Sequence, residues 1–470
     1  MEAISWEAIM DFAFLSAFLV VATLLRNKIK FLQKFLIPNC ILAGFLVLLL
    51  NQQVLKVIDL PMDRLGNYVY HLLTAIFIAM GLRGTKVKRS HGTVAVAMVH
   101  CQTYSLQILL GMVFVLVLTL FQIKDIFPTF GMQLMLGYGN NPGVAYSLGQ
   151  SWEPLGFVGG GGVGLTFGAL GFLWAYFLGV IIINWGVRRK KTAVFEGYDQ
   201  IPSSVFTGLA AKDEAKKEAG RLTTAAEAIE TLSLHLALIG LVFLITNLFI
   251  TYITNKLGAL GDIGAQLSSL IWGFSFVVGT VFALLLRWVF DRLKFSHIID
   301  SDLMTRTSGA FIDYMIVASI AAIPLLLIKN YWVEILVLST MGGLATAAWV
   351  AYLVKKIHLD YHFERFLASF GLLTGTATSG LALLRVVDAE FATPVAEDLV
   401  YGSGLIMFVG LPVMVLAGVP AMGVVKGESL KYIIISIAVT VAYMLLLYLG
   451  WKIYKYFYNR KNKVSISEQA

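Results

Sequence analysis

Long apolar runs alternate with short polar segments along the whole chain. Three of these runs, 92–121, 155–187 and 232–253, contain no charged residue. A helix of about 20 apolar residues crosses the ~30 Å hydrocarbon layer of a bilayer, so the pattern predicts an all-α polytopic membrane protein. The predicted spans lie near residues 8–25, 34–51, 66–82, 94–121, 157–187, 228–253, 263–286, 308–328, 333–354, 399–421 and 432–451.

The composition favours the same class. Hydrophobic residues make up 58% of the 470 positions and charged residues 14%, whereas soluble domains average about 45–50% and about 25%. The formal net charge of +8 does not indicate nucleic acid as a partner, because the basic residues form short clusters between the apolar runs. The sequence has no Ser/His/Asp grouping, Cys/His cluster or His-Glu-x-x-His motif. We therefore expect a lipid bilayer around the chain, no nucleic acid and no enzymatic activity.

The lysine and arginine positions predict the topology. Most of the 36 basic residues fall in alternate loops, for example in Arg83–Arg89 and Arg188–Lys191. Cytoplasmic loops carry the excess of such residues. This rule places the N-terminus outside and the C-terminus in the cytoplasm, and we expect a multi-pass protein of a bacterial inner (plasma) membrane.

Two apolar stretches are too long for one span and are broken inside. The first is interrupted at Gly137–Gly143, where proline removes a hydrogen-bond donor and glycine favours non-helical backbone. The second is interrupted at Thr374–Gly380. Because the charges on either side require an odd number of crossings, each stretch is predicted to hold a re-entrant hairpin, about 131–150 and about 363–388, followed by one true span.

The two breaks coincide when the chain is shifted by 237 residues, which brings Gly143 onto Gly380. Each half then has five spans and one hairpin, and an odd number of crossings orients the halves oppositely. This arrangement is typical of inverted-repeat transporters, whose sites lie near mid-membrane at discontinuous helices. The predicted organisation is a first repeat (1–187), a cytoplasmic linker (188–227), a second repeat (228–421), and an extra transmembrane helix with a basic tail (422–470).

Two stretches resemble the sodium/glutamate symporter family, the ESS family. Phe31–Pro38 with Ile41–Gly44 is similar to the start of that family's second helix, and Ala75–Leu82 to its third. The resemblance covers about residues 10–420 and implies two inverted five-helix halves with crossed hairpins, a homodimer, and sodium-driven glutamate uptake. The hairpin tips depart from the family. The first hairpin tip of typical members is similar to Ser-Gly-Gly-His-Gly-Thr-Gly, whereas this chain has the different sequence Gly137–Gly143 there. Glutamate or a similar small carboxylate is therefore the expected solute.

Candidate site residues cluster at the two breaks. Sodium prefers oxygen ligands, and unwound carbonyls and hydroxyls supply them without a buried charge; the predicted sodium ligands are Thr374, Thr376 and Asp313. Freed N–H groups at half-helix N-termini suit a carboxylate. The predicted substrate-binding residues are Asn140, Asn141, Gly143, Thr378, Ser379, Gly380 and Arg385.

Each candidate also has a structural alternative. Small and hydroxylated residues allow close helix packing in lipid, and the two asparagines can cap hairpin backbone. Asp313 can reach water near a cytoplasmic helix start, and Arg385 can pair with Asp388. The function predicted is sodium-coupled symport of a small anionic solute. A transporter of the same fold with another substrate, proton-coupled exchange or amino-acid export stays open.

Overall fold

The computed structural model describes residues 7–83, 90–194, 203–210, 219–258, 271–325, 329–388 and 392–467, together with Lys212, Gly264 and Ser268. Within these ranges the chain folds into helices, and no β-strand occurs among them. The prediction of an all-α chain is confirmed for this part of the sequence. Within the linker 188–227 the structure describes 188–194, 203–210, Lys212 and 219–227. A short helix in the linker, Ser203–Thr207, lies beside the first helix, where the Nε of Arg26 donates to the carbonyl of Phe206.

The helices before the linker follow the apolar runs. They are Glu7–Lys28, Lys30–Lys34, Asn39–Leu50, Met62–Arg83, His91–Leu120, Met132–Leu134, Pro142–Ser151, Gly160–Leu173 and Gly179–Arg188. Two of the junctions are wide π-helical turns, Met135–Asn140 and Trp174–Leu178. The second of these turns keeps Gly160–Arg188 continuous as one apolar helix.

The helices after the linker are arranged in a comparable order. They are Thr231–Leu257, Ser275–Arg292, Ser301–Ala321, Trp332–Ile357, His362–Thr374, Ala377–Val387, Val395–Val409, Leu411–Leu416, Val419–Val425 and Ser429–Ser467. Pro412, inside the apolar stretch 395–425, removes a backbone donor next to a 53° bend in this stretch.

Seven described helices are long and apolar enough to cross a membrane, or eight if the bent pair counts as one span. The chain is therefore an all-α polytopic membrane protein. The helices Thr231–Leu257 and Ser429–Asn459 are only 28% and 22% buried over their apolar windows. Their outward faces are apolar, as expected for surfaces that contact lipid.

Three predicted spans differ from the observed helices. The span predicted at 34–51 is a helix of 12 residues, Asn39–Leu50, which is too short to cross alone. The span predicted at 263–286 begins in residues that are mostly outside the described ranges, and its described helix is Ser275–Arg292. The span predicted at 308–328 begins earlier, at Ser301, because Asp300 caps the helix by accepting from the backbone N–H of Leu303.

Both broken stretches fold as helical hairpins, which we call hairpin 1 (132–151) and hairpin 2 (362–387). In hairpin 1 the arms separate at Asn141, whose backbone is extended before Pro142. In hairpin 2 they separate at Gly375 and Thr376. The arms of hairpin 2 pack tightly, because a Cβ built at Gly380 would lie 2.4 Å from the carbonyl oxygen of Ala368. Only glycine allows this approach.

Candidate functional site

The tip of hairpin 1 is organised by its two asparagines. Asn141 caps the second arm, since its Oδ1 accepts from the N–H of Val144 at 3.0 Å. Asn140 Oδ1 and the carbonyl oxygen of Gly139 both face the hydroxyl of Tyr104, at 3.1 and 2.9 Å. Both asparagines are partly exposed. The predicted capping alternative therefore holds for Asn141, while Asn140 presents its amide to the helix His91–Leu120.

The tip of hairpin 2 presents hydroxyl groups. Thr376 and Thr378 share a hydrogen bond of 2.7 Å between their hydroxyls, and Thr378 is exposed. Ser379 is buried and accepts a hydrogen bond from the hydroxyl of Tyr176 at 2.9 Å. Thr374 is fully buried and its Oγ1 donates to the carbonyl of Phe370. Thr376 and Thr378 are thus the hydroxyls open to a solute.

The two tips meet inside the protein. A Cβ built at Gly171 would lie 2.4 Å from the carbonyl oxygen of Thr374 and 3.0 Å from the ring of Tyr138, so hairpin 2 and hairpin 1 both contact this glycine. Gln107 joins them from another side, because its Nε2 donates to the carbonyl of Leu373 at 3.0 Å. The sequence predicted each break separately, and the structure brings the two together.

The predicted glycines act in packing. A Cβ at Gly143 would lie 2.7 Å from the sulfur of Met315 and 3.0 Å from Leu73. Gly380 packs on the other arm of its own hairpin. Both are buried, so these two positions fix backbone separation, and neither offers a side chain to a solute.

Asp313 lines a cleft beside hairpin 2. Its helix begins at Ser301, so Asp313 stands about three turns into the helix, whereas the sequence predicted a position near the helix start. The cleft has a volume of about 520 Å³, and Thr23, Arg26, Asn39 and Cys40 line it together with Asp313. This cleft adjoins hairpin 2, because Tyr176, whose hydroxyl donates to Ser379, lies within electrostatic range of Asp313.

Arg385 is partly buried on the second arm of hairpin 2. Its predicted alternative partner, Asp388, has other donors: the carboxylate accepts from the backbone N–H groups of Ala392 and Thr393 and from the Thr393 hydroxyl. Asp388 therefore binds Ala392 and Thr393 at the end of hairpin 2.

A second cleft, of about 530 Å³, borders hairpin 1. It is lined by polar residues of the second arm and of the helix Met62–Arg83, including Asn67, Tyr70, Ser147 and Gln150. Glu153 also lines it, and burial raises the pKa of its carboxyl group. Several polar side chains thus line a cleft beside the second arm of hairpin 1.

Sequence reasoning missed three residues that join the tips to their surroundings. Tyr104 and Gln107 lie on one face of His91–Leu120, and Tyr176 lies on Gly160–Arg188. One signal was available: His100, Tyr104 and Gln107 stand at spacings of four and three residues inside an uncharged run, and this spacing places the three side chains on one helix face.

The meeting point is rich in neutral oxygen atoms and buried amides. Among the described residues there is no group of three or more His, Cys, Asp or Glu side chains that could hold a metal ion. The chemistry available there is therefore coordination or hydrogen bonding by hydroxyl, amide and carbonyl groups. Comparison of the chain with models of protein families, with curated proteins and with solved structures gives no match.

Proposed function

We propose that this chain is an ion-coupled secondary transporter of a small carboxylate, with sodium as the coupling ion and glutamate as the first substrate to test. The observation that carries the proposal is the meeting of two interrupted helices at one buried position, around Gly171 and Gln107. Interrupted helices free backbone groups at mid-membrane, and such groups bind ions and anionic solutes in transporters.

An inverted repeat is part of the proposal. Helices of the second half recur at an offset similar to the one that superimposes the breaks: Met62–Arg83 corresponds to Ser301–Ala321, and His91–Leu120 to Trp332–Ile357. Gly160–Arg188 likewise corresponds to the bent stretch 395–425. The distribution of basic residues favours opposite orientations of the two halves. Oppositely oriented halves allow a site between them to face each side of the membrane in turn.

The solute site that we propose lies at the exposed side of the tips. Thr376 and Thr378 offer hydroxyls, and Asn140 and Asn141 offer amides. Their adjoining helix N-termini, at Pro142 and Ala377, point backbone N–H groups toward the breaks, where a carboxylate is favoured. Arg385, on the same hairpin, is the cation that we propose to pair with the solute's carboxylate.

The remaining parts of the proposal follow from the topology and the resemblance to sodium/glutamate symporters. The N-terminus lies outside, the C-terminus lies in the cytoplasm of a bacterial inner membrane, and the protein is a homodimer. The alternative is proton-coupled exchange or amino-acid export on the same fold. It is favoured by one observation: Asp313, a carboxylate within a helix of the bundle, lines a cleft.

Uptake by the purified protein in proteoliposomes tests the proposal. Labelled glutamate, aspartate and a dicarboxylate without an amino group are each offered under an inward sodium gradient, an inward proton gradient, or neither. Accumulation that requires the sodium gradient supports the proposal, and accumulation that requires only the proton gradient supports the alternative. Entry of solute that stops at equal concentrations under every condition contradicts both, because it is the behaviour of a channel.

A further inference from the structure

Gln107 carries a buried oxygen atom without a hydrogen-bond donor. The side chain is fully buried, its Nε2 donates to Leu373 O and to Thr346 Oγ1 at 3.0 Å each, and its Oε1 has no partner. The orientation of the amide is fixed by its partners, since the Leu373 carbonyl can only accept. The oxygen therefore faces the other way, toward Gly139, where a built Cβ would lie 2.8 Å from it.

The tip of hairpin 1 adds two more acceptors at the same glycine. The carbonyl oxygen of Gly139 and the Oδ1 of Asn140 both face the Tyr104 hydroxyl, which has one hydrogen to donate. The Asn140 amide is also oriented by an acceptor, because its Nδ2 faces the sulfur of Met135, which carries no hydrogen. The buried imidazole of His100 packs edge-on against Tyr104, with 4.3 Å between ring centroids, and brings one further N–H to this place. The three acceptors still outnumber these two donors where hairpin 1 meets the helix His91–Leu120.

An excess of buried acceptors has a definite cost. A buried oxygen without a donor loses the hydrogen bonds that water would give, and native structures rarely leave such a group without water or an ion. The groups here are neutral amide and carbonyl oxygens. Such oxygens replace the hydration shell of a monovalent cation without placing a full negative charge in the membrane.

We infer that Gln107 Oε1, Gly139 O and Asn140 Oδ1 form a binding site for a dehydrated monovalent metal cation of sodium size, between the tip of hairpin 1 and the helix His91–Leu120. This ligand set differs from the hydroxyls and carboxylate that the sequence suggested for sodium, namely Thr374, Thr376 and Asp313. The role of the cation as coupling ion rests on the proposed function, whereas the binding site itself does not.

The site also explains how a cation could act on both breaks. Gln107 coordinates on the side of hairpin 1 through its oxygen and holds hairpin 2 through its nitrogen, at the carbonyl of Leu373. An ion that coordinates the Gln107 oxygen fixes the orientation of the amide group, and the same amide group donates the hydrogen bond to hairpin 2. Occupancy therefore favours the arrangement in which the two tips stay joined.

The experiment is thermal unfolding of the purified full chain in sodium chloride, with choline chloride keeping the ionic strength constant. A ligand that binds the folded state raises the unfolding midpoint with its concentration. The wild type is expected to gain stability with sodium, less with potassium and none with choline. In Gln107→Leu the sodium-dependent gain is expected to disappear. In Gln107→Asn, which retains the amide but shortens its reach, the half-saturating sodium concentration is expected to rise about tenfold or more.

Two further variants make the result specific. Gln102→Leu is the matched control, since Gln102 is a buried glutamine on the same helix that donates to Met444 O, and it is expected to keep the sodium response. Tyr104→Phe removes the competing hydroxyl donor and leaves all three acceptors, so its sodium affinity is expected to stay the same or increase. If Gln107→Leu does not fold, Gln107→Asn and Tyr104→Phe still give opposite expectations.

The outcomes separate the site from the transport proposal. An unchanged sodium response in Gln107→Leu or Gln107→Asn, or the loss of the response in Tyr104→Phe, overturns the site. A wild type without any sodium response also overturns it, as the acceptors would then be satisfied by water alone. The proposed function is tested independently by measuring uptake driven by sodium or proton gradients on the same preparations.

Discussion

Gln107 Nε2 donates to the main-chain carbonyl of Leu373, 266 residues away in sequence. That carbonyl belongs to the last turn of the first arm of hairpin 2, before the break at Gly375. An uninterrupted helix would give this oxygen an N–H donor four residues later. Here a side chain from the first half of the chain supplies the hydrogen bond instead, and the interrupted helix of one half is completed by the other.

The hydroxyl of Thr376 is expected to be necessary for transport and dispensable for folding. Thr376→Val keeps the side-chain shape and removes the bond to Thr378 at the exposed tip. We expect gradient-driven uptake to be lost, with an unfolding midpoint close to that of the wild type. Thr305→Val, on an exposed helix position, is the control that should transport normally. Normal uptake by Thr376→Val would remove this hydroxyl from the proposed site.

Asn141 is expected to affect both transport and stability. Asn141→Ala removes the oxygen that caps the second arm of hairpin 1, which costs about 1 kcal/mol, and it removes an amide from the proposed solute site. Asn141→Ser retains a capping oxygen and should recover the stability but not the uptake. Full uptake by Asn141→Ser would assign Asn141 to capping alone.

A methyl group at Gly171 is expected to separate the two tips. Gly171→Ala places a carbon atom 2.4 Å from Thr374 O, and overpacking of this kind costs about 1–3 kcal/mol. We expect a lower unfolding midpoint and a loss of uptake. Gly240→Ala is the matched control, because nothing lies within 4 Å of that position. Equal behaviour of the two variants would show that the tips do not need this contact.

A buried ion pair is expected to hold hairpin 2 at its start. Arg365 and Asp398 are 3% and 5% exposed, and the guanidinium Nη1 lies 3.0 Å from the Asp398 carboxylate. Removing one partner of a buried pair costs about 3–5 kcal/mol, so Asp398→Ala should be strongly destabilised in thermal or denaturant unfolding. Glu428→Ala removes an exposed pair with Lys431 and should leave stability unchanged. Asp360 also lies 2.9 Å from the Arg365 guanidinium, and a mild effect of Asp398→Ala would mean that Asp360 alone satisfies Arg365.

We expect the protein to become less stable as the pH is lowered, because of His358. Burial, followed by the nearby charges of Arg365, His91 and His362, lowers the pKa of this imidazole from 6.5 to about 2. Between about pH 6.5 and about pH 2 this imidazole is therefore protonated in the unfolded chain and neutral in the folded chain. The free energy of unfolding decreases as the pH falls through this window.

A comparison of variants between pH 7 and pH 5 isolates this effect. The loss is at most about 1.4 kcal/mol for each pH unit. His358→Gln should show a flatter dependence of the unfolding midpoint on pH than the wild type. His297→Gln, an exposed position, should not differ from the wild type. Parallel curves for the wild type and His358→Gln would contradict the assignment.

Local chemistry explains which parts of the fold were predictable. The apolar runs predict the long helices because a bilayer demands continuous hydrogen-bonded helix. Asn141 followed by Pro142 predicts the first break, and Gly375 predicts the second, since each disfavours helix at its own position. Short segments of the sequence therefore determine the order and type of these elements.

What the sequence did not predict depends on contacts between distant segments. The role of Gln107 requires Leu373 to be its neighbour, and no local pattern contains that information. Asp313 was predicted as a sodium ligand because it is a carboxylate within an apolar helix, and no local pattern contains the information that its helix packs it into a cleft with Thr23 and Arg26. The start of that helix at Ser301 was missed because Asp302, Arg306 and Asp313 make it more polar than a typical span.

The most direct test of coupled transport is the release of accumulated solute when the gradient is removed. Proteoliposomes are first loaded with labelled glutamate under an inward sodium gradient, and a sodium ionophore is then added. Our account predicts accumulation above the external concentration and loss of the label after the ionophore. Label that never exceeds the external concentration, or that stays inside after the gradient has collapsed, would contradict sodium-coupled symport.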